Sequence, residues 1–150
     1  MRCNHQPRSG TSVVECAVVY PGVLLFVIGL LVGAAGLLRY EQVASLARRG
    51  ARYAAVHGTQ YAKDTGNPAA TAADIYNTVI APNAVGFDAG RMSYAISYNS
   101  SNSPYRTSIV SGDIVATGNT VSVTVIYQWI PEAFLGGISL RSTSVMPMAY

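Results

Sequence analysis

Residues 13–38 read VVECAVVYPGVLLFVIGLLVGAAGLL, and this apolar stretch decides the architecture of the chain. Glu15 is its only charged residue, so residues 16–38 form an uncharged run of 23 residues. A helix needs about 20 apolar residues to cross the hydrocarbon core of a bilayer. The stretch therefore predicts one membrane-spanning helix over residues 11–38.

The segments on either side of this stretch have different compositions. Residues 1–10 (MRCNHQPRSG) are polar and basic, which is typical of a removable leader. Residues 39–62 contain no proline and place apolar or small residues at helical spacing. We therefore expect a leader over residues 1–10 and one long helix that continues from the membrane into a single domain, residues 39–150.

The remainder of that domain predicts an α+β fold. Residues 69–80 indicate a second, short helix that ends at Pro82. Residues 91–98 and 120–130 alternate between apolar and polar side chains, and residues 138–148 follow as a last strand. We expect an antiparallel sheet of about three to four strands, with one apolar face on the 120–130 strand formed by Val121, Val123, Val125, Tyr127 and Trp129.

Charge and cysteine content exclude several classes of protein. The net charge is +3 and only 11% of residues are charged, against about 25% in soluble domains. The only basic cluster is Arg48, Arg49 and Arg52, too small for the basic face of a nucleic-acid binder. Cys3 and Cys16 lie in the leader and the span, so they cannot cross-link the domain.

Glu15 is the sharpest feature of the apolar stretch. A carboxylate at the centre of a membrane helix costs about 2.5–3.5 kcal/mol, and less near an end, so it usually has a partner. Cleavage after Gly10 would give Thr11 a free α-amine that is protonated near neutral pH. Thr11 and Glu15 are four residues apart and share one helix face, so this amine, or a neighbouring subunit's, can pair with the carboxylate.

The basic leader, Gly10, Thr11 and Glu15 together resemble the processing site of type IV pilins. Residues 10–21 (GTSVVECAVVYP) are similar to the start of TadE-like minor pilins of the tight-adherence (Tad) pilus. Residues 47–55 (ARRGARYAA) resemble that family's helix after the membrane. Residues 121–131 and 136–148 resemble its terminal strand–turn–strand. Cys16 departs from the family, which usually has an aromatic residue there.

This resemblance implies a location and a set of partners. A prepilin peptidase would cut after Gly10, and Glu15 would set the register between subunits. The protein would reside in the bacterial inner membrane with its domain extracytoplasmic, in contact with lipid, other pilin-like subunits and the assembly platform. The orientation rests on the resemblance, because arginines precede and follow the span and leave the positive-inside rule ambiguous.

Two other interpretations of the N-terminus stay open. One is a secretory signal peptide cut near Ala34 and Ala35, although the apolar run is long for that purpose and contains an acid. The other is an unprocessed single-pass anchor that displays an envelope-binding or secretion-associated domain. The length of the mature chain distinguishes these from pilin processing.

A stripe of glycines indicates where the membrane helix meets other helices. Residues recur every seven positions at Glu15, Gly22, Gly29, Gly36, Val43 and Gly50. Gly33 forms a small-xxx-small pair with Gly29, a pattern that lets membrane helices approach closely. Gly22, Gly29, Gly33 and Gly36 are therefore a candidate packing seam, although glycine is also simply frequent in membrane helices. Pro21 removes one backbone hydrogen bond and predicts a kink.

The sequence contains no arrangement typical of catalysis. His57 is the only histidine after the leader, and its place in a helix predicts a surface or packing residue. The acidic residues of the domain are scattered and show no metal-ligand spacing. We expect no enzymatic activity, cofactor, metal or small-molecule substrate, and we expect Tyr94, Tyr98, Tyr127 and Trp129 to be core or interface residues.

Overall fold

The computed structural model describes the backbone of residues 9–111, 113–131 and 136–149, and their side chains from residue 13 onward. The chain divides into two units between Gly36 and Leu37. The elements confirm the predicted α+β class, with a long apolar N-terminal helix, further short helices and antiparallel sheets.

Helix α1 (Ser9–Val56) contains all of the apolar stretch and continues through Pro21. In the first unit its large side chains are exposed, and Phe26, for example, is 67% exposed. The helix is long and apolar enough to cross a membrane, with a mean hydropathy of 2.4 in a window of which no part is buried. The apolar side chains in this window are therefore not buried within the chain.

Among the described residues, three short α-helices, a π-helical turn and a 3-10 turn (Ala89–Arg91) follow α1. The long helix ends earlier than the predicted residue 62, because Gly58 takes an extended conformation and caps α2 (Thr59–Thr65). The predicted helix over residues 69–80 is α3 (Ala72–Ile75), a π-helical turn (Tyr76–Ile80) and α4 (Ala81–Asn83). Pro82 does not end it as expected, because it lies in the first turn of α4, where a backbone N–H is not needed.

The main sheet has three antiparallel strands in the order β1 (Met92–Tyr98), β4 (Thr120–Trp129) and β5 (Ile138–Pro147). A separate hairpin is formed by β2 (Tyr105–Val110) and β3 (Asp113–Gly118). The three predicted strands are thus confirmed, whereas the hairpin was not expected from the sequence. Ser111 between β2 and β3 has a positive φ of 56°.

The core lies between the last turns of α1 and one face of β4. Its fully buried residues come from both elements and from the short helices between them: Val43, Ala47, Ala51, Ala54, Ile75, Ile80, Val121, Val123 and Val125. Small residues on α1 let the helix approach the sheet closely. A Cβ atom added to Gly50 would lie only 3.2 Å from Val123 Cγ1.

Helix α1 and strand β4 run in opposite directions in this core. At one end, the Ala149 amide donates a hydrogen bond to the Ala55 carbonyl, 2.9 Å away. At the other end, the Arg39 guanidinium lies 5.2 Å from the ring centre of Phe87, which meets Tyr127 edge-on at 4.6 Å. The C-terminal end of β4 therefore lies at the end of the domain where the chain enters at Leu37.

Candidate functional site

The predicted processing site lies at the start of α1. Gly10 and Thr11 have helical backbone, and their side chains are outside the described residues, as are residues 1–8 of the predicted leader. Glu15 is exposed and forms no ion pair within the described part of the chain. Helical geometry puts positions 11 and 15 on one face, as the pairing of an α-amine with the carboxylate requires.

The predicted glycine seam is open in the single chain. A Cβ atom added to Gly22, Gly29 or Gly33 would meet nothing within 4 Å, and Gly36 is half-buried. The same heptad stripe changes character in the domain, where Gly50 is covered by the chain's own sheet and Val43 is buried in the core. Gly22, Gly29 and Gly33 are therefore open positions of the stripe, whereas Val43 and Gly50 are covered by the domain.

His57 is a packing residue, as expected. Its ring stacks on Tyr53 at a centroid distance of 3.9 Å and meets Tyr61 at 4.6 Å. Nδ1 of His57 lies 3.0 Å from the Tyr53 carbonyl oxygen, which fixes the ring orientation. These aromatic side chains line one wall of an open cleft of about 320 Å³. Asp74 and Thr78 also line the cleft. The described residues contain no group of three or more potential metal ligands.

The arginine cluster lies on the exposed side of α1. Arg48, Arg49 and Arg52 line a groove of about 190 Å³ together with Ser45. Arg49 Nη1 donates a 2.7 Å hydrogen bond to Asn83 Oδ1, which ties α4 to the long helix. Among the described residues none of the three arginines forms an ion pair, so they are solvated cations.

A capping box starts the short helix α3. The Asp74 carboxylate accepts hydrogen bonds from the Thr71 hydroxyl at 2.7 Å and the Thr71 amide at 2.9 Å, while the Asp74 amide donates to the hydroxyl. The hydroxyl and then the amide hold the pKa of Asp74 below its ordinary value. This motif stabilises the helix start, and we assign it no catalytic role.

A buried amide that sequence reasoning missed organises the loop after β1. Asn119 is fully buried, and its Nδ2 donates to Ser101 Oγ at 3.1 Å and to the Ser103 carbonyl at 2.9 Å. Its Oδ1 accepts from Ser100 Oγ at 2.5 Å. The run of Asn and Ser in residues 99–103 was the available signal, since such side chains bond to nearby backbone and to one another.

The predicted site residues lie along one helix, α1. Glu15 and the seam glycines are exposed or half-buried positions of α1. Of the aromatic residues expected in the core or an interface, Tyr98 packs half-buried against the core. Tyr127 is buried and Trp129 packs half-buried against the core, whereas Tyr94 is exposed and stacks on Tyr76 at 4.4 Å. Comparison of the chain with protein-family models, curated proteins and solved structures finds no match.

Proposed function

We propose that the chain is a membrane-anchored, non-enzymatic minor pilin or pseudopilin that acts in the assembly of a Tad-type pilus or a related secretion apparatus. The observation that carries the proposal is α1. Its first unit is apolar and exposed, and its last turns are buried under an antiparallel sheet. A helix of this kind both anchors a domain and offers an apolar surface for packing against like helices.

The exposed apolar residues support the anchoring role. Leu24, Leu25 and Phe26 are each more than half exposed, as are most large side chains of the first unit. On insertion scales each Leu, Ile, Phe or Val in a membrane helix contributes about −0.3 to −0.6 kcal/mol. A run of this length therefore favours the bilayer over water by several such contributions, which outweigh the cost of Glu15 near its end.

The relation between Gly10 and Glu15 supports the assembly role. Cleavage after Gly10 would give Thr11 a cationic α-amine, which helical geometry places on the same face as the Glu15 carboxylate. In a low-dielectric setting an unpaired carboxylate is costly, so a subunit out of register with its neighbours is disfavoured. Glu15 thus supplies register, while the open glycines at positions 22, 29 and 33 supply close approach.

The mature N-terminus tests the proposal. The protein is purified from the membrane of the bacterium that makes it, and intact mass and N-terminal peptides are measured. The expected start is Thr11, and Gly10→Leu should leave the chain uncut. An intact Met1 in the unmodified protein favours the unprocessed anchor instead. A start near Gly36 identifies a secretory signal peptide and contradicts the proposal.

Substitution of the carboxylate tests the register mechanism. Glu15→Ala should be cleaved nearly as well as the unmodified chain but should be depleted from the assembled fibre or the inner-membrane assembly complex. Glu41→Ala is the matched control, because it removes an exposed glutamate from the same helix beyond the apolar stretch. Equal recovery of the two variants in the assembly would contradict a role for Glu15 in register.

A further inference from the structure

One end of the domain carries exposed apolar side chains that the core does not need. Val85 is 79% exposed, Ile130 49% and Ile138 50%, and Trp129 is half-buried beside them. These four residues, together with Arg39, are called the entry surface here, because the chain enters the domain at Leu37. Single exposed apolar residues are ordinary on a protein surface, but a group of them at one end of a domain is not.

Contacts within the domain place the entry surface beside the start of its helix. Arg39 stacks on Phe87, two residues after Val85, and Phe87 packs against Tyr127. Strand β4 continues from Tyr127 to Trp129, which pairs with Ile138 on β5. An added Cβ atom on Gly137 would lie 3.7 Å from Ile130, so Ile130 also adjoins this strand end.

Covalent continuity ties this surface to the apolar stretch. Leu37 and Leu38 are the last residues of the uncharged run, and Arg39 follows them directly. Phe87, over whose ring Arg39 lies, is therefore close to the residue where the uncharged run ends. Tyr127, which contacts Phe87, is one side chain further away. The opposite end of the domain, near Ala55 and Ala149, is separated from that point by more than four turns of helix.

The side chains of the entry surface have the chemistry of a membrane interface. Tryptophan is enriched at the level of the lipid headgroups, because its apolar ring contacts the acyl chains while its N–H remains hydrated. An arginine at such an interface packs its apolar stem against apolar surface and keeps its charged end near water. Here the Arg39 guanidinium lies over Phe87 and donates to Gln42 Oε1 at 3.2 Å. Exposed isoleucine and valine add apolar area that would otherwise remain in contact with water.

We propose that the entry surface rests in the headgroup region of the bilayer that α1 spans, with Trp129 as its interfacial anchor. The inference rests on the anchoring part of the proposed function. The domain would then be held against the lipid by its own side chains as well as by its helix. A surface that instead contacts a neighbouring subunit is the alternative, and the experiment separates the two.

Trp129 is the only tryptophan in the chain, so its fluorescence reports on this surface alone. The full-length protein is reconstituted at low density in phosphatidylcholine and phosphatidylglycerol vesicles that contain lipids brominated near the headgroup or deep in the acyl chains. We expect strong quenching of Trp129 by the shallow bromines, weaker quenching by the deep ones, and little quenching by aqueous iodide.

The matched control moves the tryptophan to the far end of the domain. Trp129→Phe combined with Tyr105→Trp places the fluorophore on β2, at a position that is 60% exposed and adjoins Asn119 through the Pro104 carbonyl. This variant should be quenched by iodide and not by brominated lipid. Circular dichroism checks that both proteins are folded.

The outcomes separate this inference from the anchoring proposal. If the protein floats with the vesicles but Trp129 is quenched by iodide and not by bromolipid, anchoring stands and the entry surface is not interfacial. If shielding of Trp129 from iodide appears only as protein density rises, a neighbouring subunit covers the surface and the inference is wrong. If the protein does not float with vesicles, both proposals fail. Replacing Val85, Ile130 and Ile138 together by serine should reduce the shallow quenching without preventing flotation.

Discussion

Gly50 is a position where the helix and the sheet approach closely, and its substitution tests the packing of the core. An added Cβ atom there would lie 3.2 Å from Val123 Cγ1 and 3.5 Å from Ile80 Cδ1. Both neighbours are fully buried, so neither can move into solvent to make room. Gly50→Leu places three further carbon atoms beyond this contact, in space that the core already fills.

The expected effect is a loss of about 2 kcal/mol in the free energy of unfolding of the domain. Replacing a glycine inside a helix by leucine stabilises the folded domain by about 1 kcal/mol, because leucine has the higher helix propensity. Overpacking a filled core typically costs about 1–3 kcal/mol, and the tight contact with Val123 favours the upper part of that range. For a domain of this size the net loss corresponds to a decrease in Tm of about 8 °C.

Thermal unfolding of the full-length protein in detergent micelles, followed by Trp129 fluorescence and near-ultraviolet circular dichroism, measures this effect. Gly29→Leu is the matched control, because the same substitution there meets nothing within 4 Å. It should leave the Tm of the domain unchanged. A Gly50→Leu protein as stable as the Gly29→Leu protein would refute the argument that this glycine is required for close packing.

Three further predictions follow from other parts of the chain. Gly29→Leu together with Gly33→Leu should weaken helix association in a membrane two-hybrid assay, and unchanged association would exclude the seam. Asn119→Ala should lower the free energy of unfolding by about 2 kcal/mol, since three side-chain hydrogen bonds are lost. The lowered pKa of Asp74 stabilises the fold above about pH 3.9, and this contribution is lost as the pH falls through the lowered value. Thr71→Ala should flatten that acid dependence in urea titrations, and an unaltered dependence would assign it to other carboxylates.

The hairpin shows why part of the fold escaped prediction. Residues 105–110 and 113–118 contain β-branched side chains, but nearly all of them are exposed, so they lack the clear alternation of a half-buried strand. Strand β4, by contrast, alternates because one face packs on the helix. An alternation of apolar and polar residues arises when one face of a strand is buried, so an exposed hairpin does not show it.

The helix composed of α3, the π-helical turn and α4 shows a second limit. Pro82 is a sound helix terminator when hydrogen bonds run in the ordinary i to i−4 pattern. Here the Ala81 amide donates a hydrogen bond to the Tyr76 carbonyl, five residues earlier, as in a π-helix. Pro82 then lies in the first turn of α4. The boundary therefore depended on a hydrogen-bond pattern that propensity alone does not specify.

The long apolar helix could be predicted from the sequence, because the ability of a helix to span a bilayer depends on its length and composition. The same is true of β4 and of the helical spacing in residues 43–54, since each records a single buried face. Tertiary structure alone decided which partner each face meets. Gly50 packs against Val123, whereas Gly29 on the same helix contacts nothing within 4 Å. Arg39, Phe87 and Tyr127 are far apart in the sequence but in contact in the structure. Such pairings depend on how separate elements pack, and local sequence patterns do not encode them.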